Sequence, residues 1–306
     1  MSAAEGAAPV PDQAGSDEAW SILHMILWSA EYLAEKGVEN ARLDAEWLLA
    51  RALEVERLQL YLQFDRPLSL EERGAFKPLL RRRARREPLQ YILGRTAFRE
   101  LDLLTDRRVL VPRPETEVLV EEVLGWGAER PERFRSVLDV GTGSGAIALS
   151  LALEGECGRI VATDISAEAL EVATENARRH EVTGKVEFRR GGLFDALEIG
   201  ERFDVVVSNP PYVEEGQVLD LEPEVSEWEP AGALFAGADG LDVIRSLVAG
   251  AGERVVPEGL LALEVGAGQE SRVVELIEET DAFGPARIRR DLSGRPRVVM
   301  AERNRD

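Results

Sequence analysis

From "SVLDV" at Ser136–Val140 almost to the end of the chain, short apolar runs rich in valine, isoleucine and leucine alternate with stretches of helical periodicity. The strands read as "SVLDV", "RIVATD", "VEFRR", "FDVVVS", "GLLALEV", "ARIRRDL" and "RPRVVMAE", with helices expected after Gly145, from Ala167, near Leu241 and near Glu270. Runs with little polar interruption are strands buried on both faces, and strand-helix alternation requires crossover connections. The fold class that meets both demands is α/β: a mainly parallel, seven-stranded, Rossmann-like sheet, whose last two strands form an antiparallel pair around Gly294.

In an open sheet of this kind, ligands bind beyond the carboxyl ends of the strands, near the point where strand order reverses. Two sequences fall at such ends. In "VLDVGTGSGAIALSLA" a strand is followed by Gly141, Thr142, Gly143, Ser144 and Gly145 and then a helix, so the backbone can turn tightly and approach a ligand at a helix N-terminus. Gly141, Gly143 and Ala146 also fit a dinucleotide fingerprint, which keeps a nicotinamide-dependent oxidoreductase in view. Asp139, just before the first glycine, suits a cationic amino group better than a pyrophosphate. Asp164, ending "VATD", is placed to accept from both hydroxyls of a ribose, in a dinucleotide or in S-adenosylmethionine. Leu193 and Phe194 in "GGLFDAL" offer an apolar slot for a flat adenine, with ordinary core as the alternative for Phe194.

The second sequence is "FDVVVSNPPYVEE", where a buried strand ends in Asn209, Pro210, Pro211 and Tyr212. Two prolines fix φ and remove two backbone donors, so the strand stops in a stiff turn. The side-chain carbonyl of Asn209 and the main-chain carbonyl of Pro210 can each accept one N–H of an NH2 group, while Tyr212 covers its face. An amide nitrogen is a poor nucleophile because its lone pair is delocalised. Two acceptors that fix both hydrogens orient it and favour the positive charge that develops during attack, with no general base required beforehand.

Composition excludes several rivals. Cys157 is the only cysteine, and His24 and His180 are the only histidines, which removes disulfide frameworks, Cys/His zinc sites and Cys-His dyads. No metal site is expected. A formal net charge of -20 repels phosphate backbones and anionic membranes, so stable nucleic-acid binding is not expected. No apolar run is long enough to span a bilayer, and the first residues lack the basic start and apolar stretch of a signal peptide, so a cytoplasmic protein is expected.

Upstream of the sheet, residues 1–15 read as a disordered tail and residues 16–88 as a small helical domain. The first helix, from Asp17, is expected to bury Trp20, Leu23, Leu27, Ala30 and Tyr32. Ser69 and Glu72 have the spacing of a capping box, and Pro78 marks a kink. The basic run at Arg81–Arg86 reads as a solvated helix end or as a dock for an acidic partner. Residues 89–113 read as a linker with a short hairpin around Phe98, Leu101, Leu103 and the Val109–Val111 run, and residues 114–306 as the catalytic domain.

These residues resemble the class I S-adenosylmethionine-dependent methyltransferases with an Asn-Pro-Pro-Tyr motif. Within them the chain is most similar to the protein-(glutamine-N5) methyltransferases that modify peptide chain release factors, the HemK/PrmC family. The segments that carry the resemblance are "EPLQYILG", "VPRPETE", "VLDVGTGSGAIALSLA", "SNPPYV" and "WEPAGALFAGADGL", and it extends from about residue 20 to the end. It implies a helical domain that helps recognise the release factor, a hairpin linker and a catalytic domain of class I topology; a monomer is expected. It implies S-adenosylmethionine against Gly141 to Gly145, Asp164, Leu193 and Asn209. The glutamine of the release factor's Gly-Gly-Gln loop is then expected against Asn209, Pro210, Pro211 and Tyr212, with Asn209 and Pro210 catalytic. In one departure, Gly192 stands where the family carries an acidic residue just before Leu193, which removes a carboxylate from the adenine side. Rival readings are glutamine methylation of a ribosomal protein, methylation of an exocyclic amine on a nucleobase, the oxidoreductase, and a non-catalytic scaffold that binds S-adenosylmethionine.

Overall fold

A computed structural model describes residues 20–305, in two compact units that divide between Leu93 and Gly94. The tail expected over residues 1–15 lies outside the described residues.

The first unit holds α1 (Ile22–Glu35), α2 (Ala41–Leu53), α3 (Arg57–Leu62), α4 (Leu70–Ala84) and α5 (Leu89–Leu93). Helix α1 begins at Ile22, where the Ser21 side chain accepts from His24 N; the start expected at Asp17 lies outside the described residues. Its buried stripe is Ile22, Met25, Ile26, Ser29 and Leu33, rather than the one expected through Leu23, Leu27 and Tyr32. Both faces of this helix are rich in apolar residues, so spacing alone does not choose between them. Packing gives the centre to the aliphatic side chains, and the aromatic rings stack along the flank, Trp28 on Tyr32 at 5.6 Å and Trp20 on His24 at 4.3 Å.

The capping box of α4 is complete: Ser69 Oγ accepts from Glu72 N, and Glu72 Oε2 accepts from Ser69 N. Pro78 sits inside α4 without ending it. The basic run is in part internal structure. Arg83 is buried and donates to Asp44 at 2.7 Å, and Arg82 forks onto Glu87.

The second unit opens with the hairpin of β1 (Arg95–Phe98) and β2 (Leu101–Leu104), whose Phe98, Leu101 and Leu103 bury in the core of this unit. Val109 and Val111 are buried but form no strand. Helix α6 (Pro114–Glu129) follows, with Pro114 in its first turn, where a missing N–H costs nothing. Then come β3 (Ser136–Val140), α7 (Ala146–Glu154), β4 (Arg159–Asp164), α8 (Ala167–Arg179), β5 (Val186–Arg190) and β6 (Phe203–Ser208). The chain closes with α9 (Pro223–Ser226), α10 (Asp242–Arg254), β7 (Val255–Glu264), α11 (Glu270–Glu278), β8 (Arg287–Arg290) and β9 (Pro296–Glu302).

The sheet order is β5-β4-β3-β6-β7-β9-β8, with β5 through β7 parallel and β9 antiparallel to both neighbours. Alternate strand residues serve opposite faces. Val137, Val205 and Ala262 pack under α6 and α7, while Leu138, Val206 and Leu261 pack under α10 and α11. Chain order reverses between β3 and β6, which have β4 and β7 on their outer sides.

Candidate active site

The register of the sheet brings the expected site together. Val140 is paired with Thr163 on one side and Ser208 on the other, and Ser208 with Leu263. The next residue of each strand therefore stands in one row across the carboxyl edge: Asp164, Gly141, Asn209 and Glu264. The first three were legible in the sequence, and Glu264 was not among them.

In the glycine loop, Gly141, Gly143 and Gly145 have φ of 75, 56 and 86°. A Cβ on Gly141 or Gly143 would meet nothing within 4 Å, so the loop presents bare backbone to open space. Most of its N–H groups are already engaged. Gly141 N and Thr142 N donate to Thr163 O, Gly143 N donates to Asp164 Oδ2 at 2.9 Å, and Gly145 N donates to Thr142 O. A pyrophosphate would find few free donors here and two nearby carboxylates, which counts against the dinucleotide reading.

A cationic ligand with a ribose diol fits the same loop, because each Asp164 oxygen accepts one backbone N–H, from Gly143 or Ser166, and has a second lone pair to offer. The side chain of Thr142 turns inward. Thr142 donates its hydroxyl to Asp139 at 2.7 Å and so faces a ligand only with main chain, and the main-chain carbonyl of Ser144 accepts from Asn176. Asp139 is fully buried, with Oδ1 unpartnered. Loss of hydration, with the Asp164 charge adding to it, pushes its carboxyl up to about 7.

At the end of β5, Leu193 has φ 49° and is half-buried. Phe194 packs against the core, the alternative open for it: its ring fills the space above Gly250, where a Cβ would come within 2.6 Å. Ile165 is 73% exposed beside Gly192. A Cβ on Gly192 would lie 3.7 Å from Ile165 Cδ1 and 3.8 Å from Asp195 Oδ2.

The Asn-Pro-Pro-Tyr turn is held from below and behind. Asn209 Nδ2 donates to Thr116 Oγ1 at 3.1 Å, Thr116 Oγ1 donates to Glu264 Oε2 at 2.6 Å, and the Tyr212 hydroxyl donates to Glu264 Oε1 at 3.3 Å. Pro210 is buried and Pro211 half-buried. Burial pushes the Glu264 carboxyl up to about 7 against the hydrogen bonds from Thr116 and Tyr212 and the charge of Arg297, which favour the ionised form. The Tyr212 hydroxyl is raised above its ordinary range, first by burial and then by the Glu264 charge.

Behind the turn, Gln269 Nε2 donates to Tyr212 O. Gly240, at φ 70°, leaves room where a Cβ would meet that carbonyl at 2.3 Å. Val213 exchanges backbone hydrogen bonds with Leu234 and Ala236, so the "WEPAGALFAGADGL" segment straps the turn down. Arg113 donates to buried Glu229 at 2.6 Å, joining that segment to "VPRPETE".

Thr116 and Glu264 carried weak signals in the sequence. Thr116 sits in the quoted "VPRPETE", and Glu264 is the one charge in the apolar run "GLLALEV". A buried carboxylate needs partners, and that is the signal that could have found it. Among the described residues no group of three or more His, Cys, Asp or Glu is arranged to hold a metal ion. No described helix is long and apolar enough to cross a membrane.

Residues 24–94 match the family described as PrmC N-terminal domain, and residues 116–223 the family described as Methyltransferase small domain. Release factor glutamine methyltransferase of Geobacter sulfurreducens is 45% identical over 282 residues, covering 92% of this chain and 96% of that one. The protein of the same name from Rhodopirellula baltica is 35% identical over 295 residues, covering 95% and 99%. Among solved structures, a methyltransferase from Pyrococcus furiosus superposes with a TM-score of 0.50 over 68% of this chain and 92% of that one; at 18% identity the likeness shows the fold alone.

Proposed function

The chain belongs to the release factor glutamine methyltransferases, and from that premise we propose that it transfers a methyl group from S-adenosylmethionine to the side-chain amide nitrogen (N5) of the glutamine in the Gly-Gly-Gln segment of peptide chain release factors. The observation that carries this reading is the pairing of Val140 with Ser208, which sets the glycine loop and Asn209 side by side on adjacent parallel strands. A methyl donor over the loop and an amide held at Asn209 then lie within reach of one another.

S-adenosylmethionine, when bound, supplies an electrophilic methyl group on a cationic sulfur. Gly141 to Gly145 offer it bare backbone, Asp164 its ribose contacts, and Ile165 and Leu193 apolar cover at the adenine side. Asn209 Oδ1 and Pro210 O each accept one hydrogen of the substrate amide, and Tyr212 stacks on its plane. Fixing both hydrogens holds the nitrogen lone pair in the line of attack, and the charge built up there is met by two acceptors. One amide proton then leaves to solvent.

The same reading gives residues 16–88 a part in recognising the release factor and residues 114–306 the chemistry, in a cytoplasmic monomer without stable nucleic-acid binding. The net charge of -20 supports the last point. Mass spectrometry of purified release factor incubated with the enzyme and S-adenosylmethionine tests the whole. One added methyl on the Gly-Gly-Gln glutamine is the expected result. An unmodified release factor, with cofactor binding demonstrated, would reject the substrate and move the search to ribosomal proteins.

A further inference from the structure

Beneath the Asn-Pro-Pro-Tyr turn, Thr116 and Glu264 do more than fill space. A threonine hydroxyl carries one hydrogen. At 2.6 Å from Glu264 Oε2, and with an ionised carboxylate that has no hydrogen of its own, that hydrogen must point to Glu264. The remaining contact, 3.1 Å to Asn209, can then only be one in which Thr116 accepts, so the Asn209 group facing it is the NH2. Asn209 Oδ1 is thereby turned away from Thr116. The other Glu264 oxygen accepts from Tyr212, so one buried carboxylate reaches both the amide and the ring of the turn.

We infer that Thr116 and Glu264 are positioning residues that set which way round the Asn209 amide stands, presenting its carbonyl to the reacting amide of the substrate while Glu264 is ionised. This rests on the proposed glutamine chemistry and deepens it. A proton on Glu264 Oε2 reverses the relay: Glu264 donates to Thr116, Thr116 donates to Asn209, and the asparagine presents its NH2 to the substrate NH2, donor against donor. The groups facing Glu264 are Thr116 and Glu115 from α6, Tyr212 from the turn and Arg297 from β9. Arg297 and the two hydroxyls favour the ionised form, while burial and Glu115 oppose it, so the reversal falls near neutral pH.

The experiment compares wild type, Thr116→Val, Thr116→Ser and Glu264→Gln in two readouts. The first is kcat against pH, with calorimetric S-adenosylmethionine affinity as the control. Thr116→Val, which keeps the shape but loses the hydroxyl, is expected to lower kcat about 10-fold or more with cofactor affinity little changed. Thr116→Ser restores most of the loss, and Glu264→Gln removes the acid limb of the profile. The second readout needs no release factor: the Asn209 side-chain amide resonances of the enzyme bound to S-adenosylhomocysteine are followed by NMR across neutral pH. They are expected to shift with pH in wild type and Thr116→Ser and to stay flat in Thr116→Val and Glu264→Gln. Resonances that titrate alike in all four, or a Thr116→Val enzyme with wild-type kcat and pH profile, would overturn the relay. Failure of wild type to methylate the release factor while the resonances respond as expected would instead reject the substrate and leave the relay standing.

Discussion

Asn176 and Leu104 exchange two hydrogen bonds, Leu104 N donating to Asn176 Oδ1 at 2.7 Å and Asn176 Nδ2 donating to Leu104 O at 3.1 Å. The side chain thus imitates a strand partner for the end of the hairpin. Its second Nδ2 hydrogen goes to the carbonyl of Ser144, in the glycine loop. One fully buried amide on α8 therefore fixes the loop to the hairpin.

Replacing Asn176 with alanine strands one donor and two acceptors in the interior. At about 1 kcal/mol or more for each, the loss is about 3 kcal/mol, a large share of the stability of an ordinary domain. Asn176→Ala is expected to lower the denaturation midpoint and to weaken S-adenosylmethionine binding through the loosened loop. Asn176→Asp should be worse, because a carboxylate then faces two carbonyls. Calorimetry and a denaturant titration check both, and unchanged cofactor affinity would separate the loop from the hairpin.

The two ends of the site should fail differently. Asn209→Ala removes one acceptor of the substrate amide, and turnover is expected to fall about 100-fold, by the scale of losing one oriented group at a reacting centre, with a smaller change in cofactor affinity. Asp164→Ala removes the acceptor of the Gly143 and Ser166 N–H groups, so the loop loosens and the Kd for S-adenosylmethionine rises about 10-fold or more. Single-turnover kinetics beside calorimetry distinguishes the two, and near-normal values in both variants would dismiss the assignment.

Gly192 gives a third test. A side chain there meets only ordinary contacts, from Ile165 and from the carboxylate of Asp195, and the backbone is not left-handed. The Asp195 carboxylate thus stands where an acid at position 192 would reach. Asp195→Ala is expected to weaken S-adenosylmethionine binding about 10-fold, the worth of one charge-assisted hydrogen bond, and adding Gly192→Asp should recover it. Wild-type affinity in the single variant would show that Asp195 takes no part.

How much of this was legible in the sequence follows from where the information sits. The glycine loop, Asp164 and the proline turn are each written in a few adjacent residues, because a tight turn or a strand end is a local demand. The sheet could be read from alternation alone, since burial on both faces leaves little polar interruption. Thr116 and Glu264, far apart along the chain, meet only through the sheet, and no spacing rule joins them. Asn176 is hidden for the same reason, inside a helix whose other polar residues face solvent. The buried face of α1 is not legible, because apolar residues run along both faces and packing, not periodicity, chooses between them, and the same packing decides for Phe194 between the two places its sequence leaves open.

The buried carboxyl of Asp139 makes stability depend on pH. Its folded-state value near 7 lies above its ordinary 3.8, so between these values the folded protein holds a proton that the unfolded chain has released. The contribution is fully present below about pH 4 and is lost as pH rises through about 7. Asp139→Asn is expected to lose less stability than wild type between about pH 5 and pH 7.5 in guanidinium titrations. Equal losses in the two proteins would mean that Asp139 is ionised throughout.

The pairing of Val140 with Ser208 also makes the sheet a ruler. In a parallel ladder, successive residues are about 3.3 Å apart along the strand. A nucleophile and its target must approach to about the same distance before they react. Sliding β6 past β3 by a single residue would therefore misplace Asn209 by the whole length of the reactive contact, and would turn Val205 and Val207 out of one core and into the other. Packing on both faces forbids that slip, so in the proposed reaction the spacing between methyl donor and acceptor is held by the same valines that hold the sheet together.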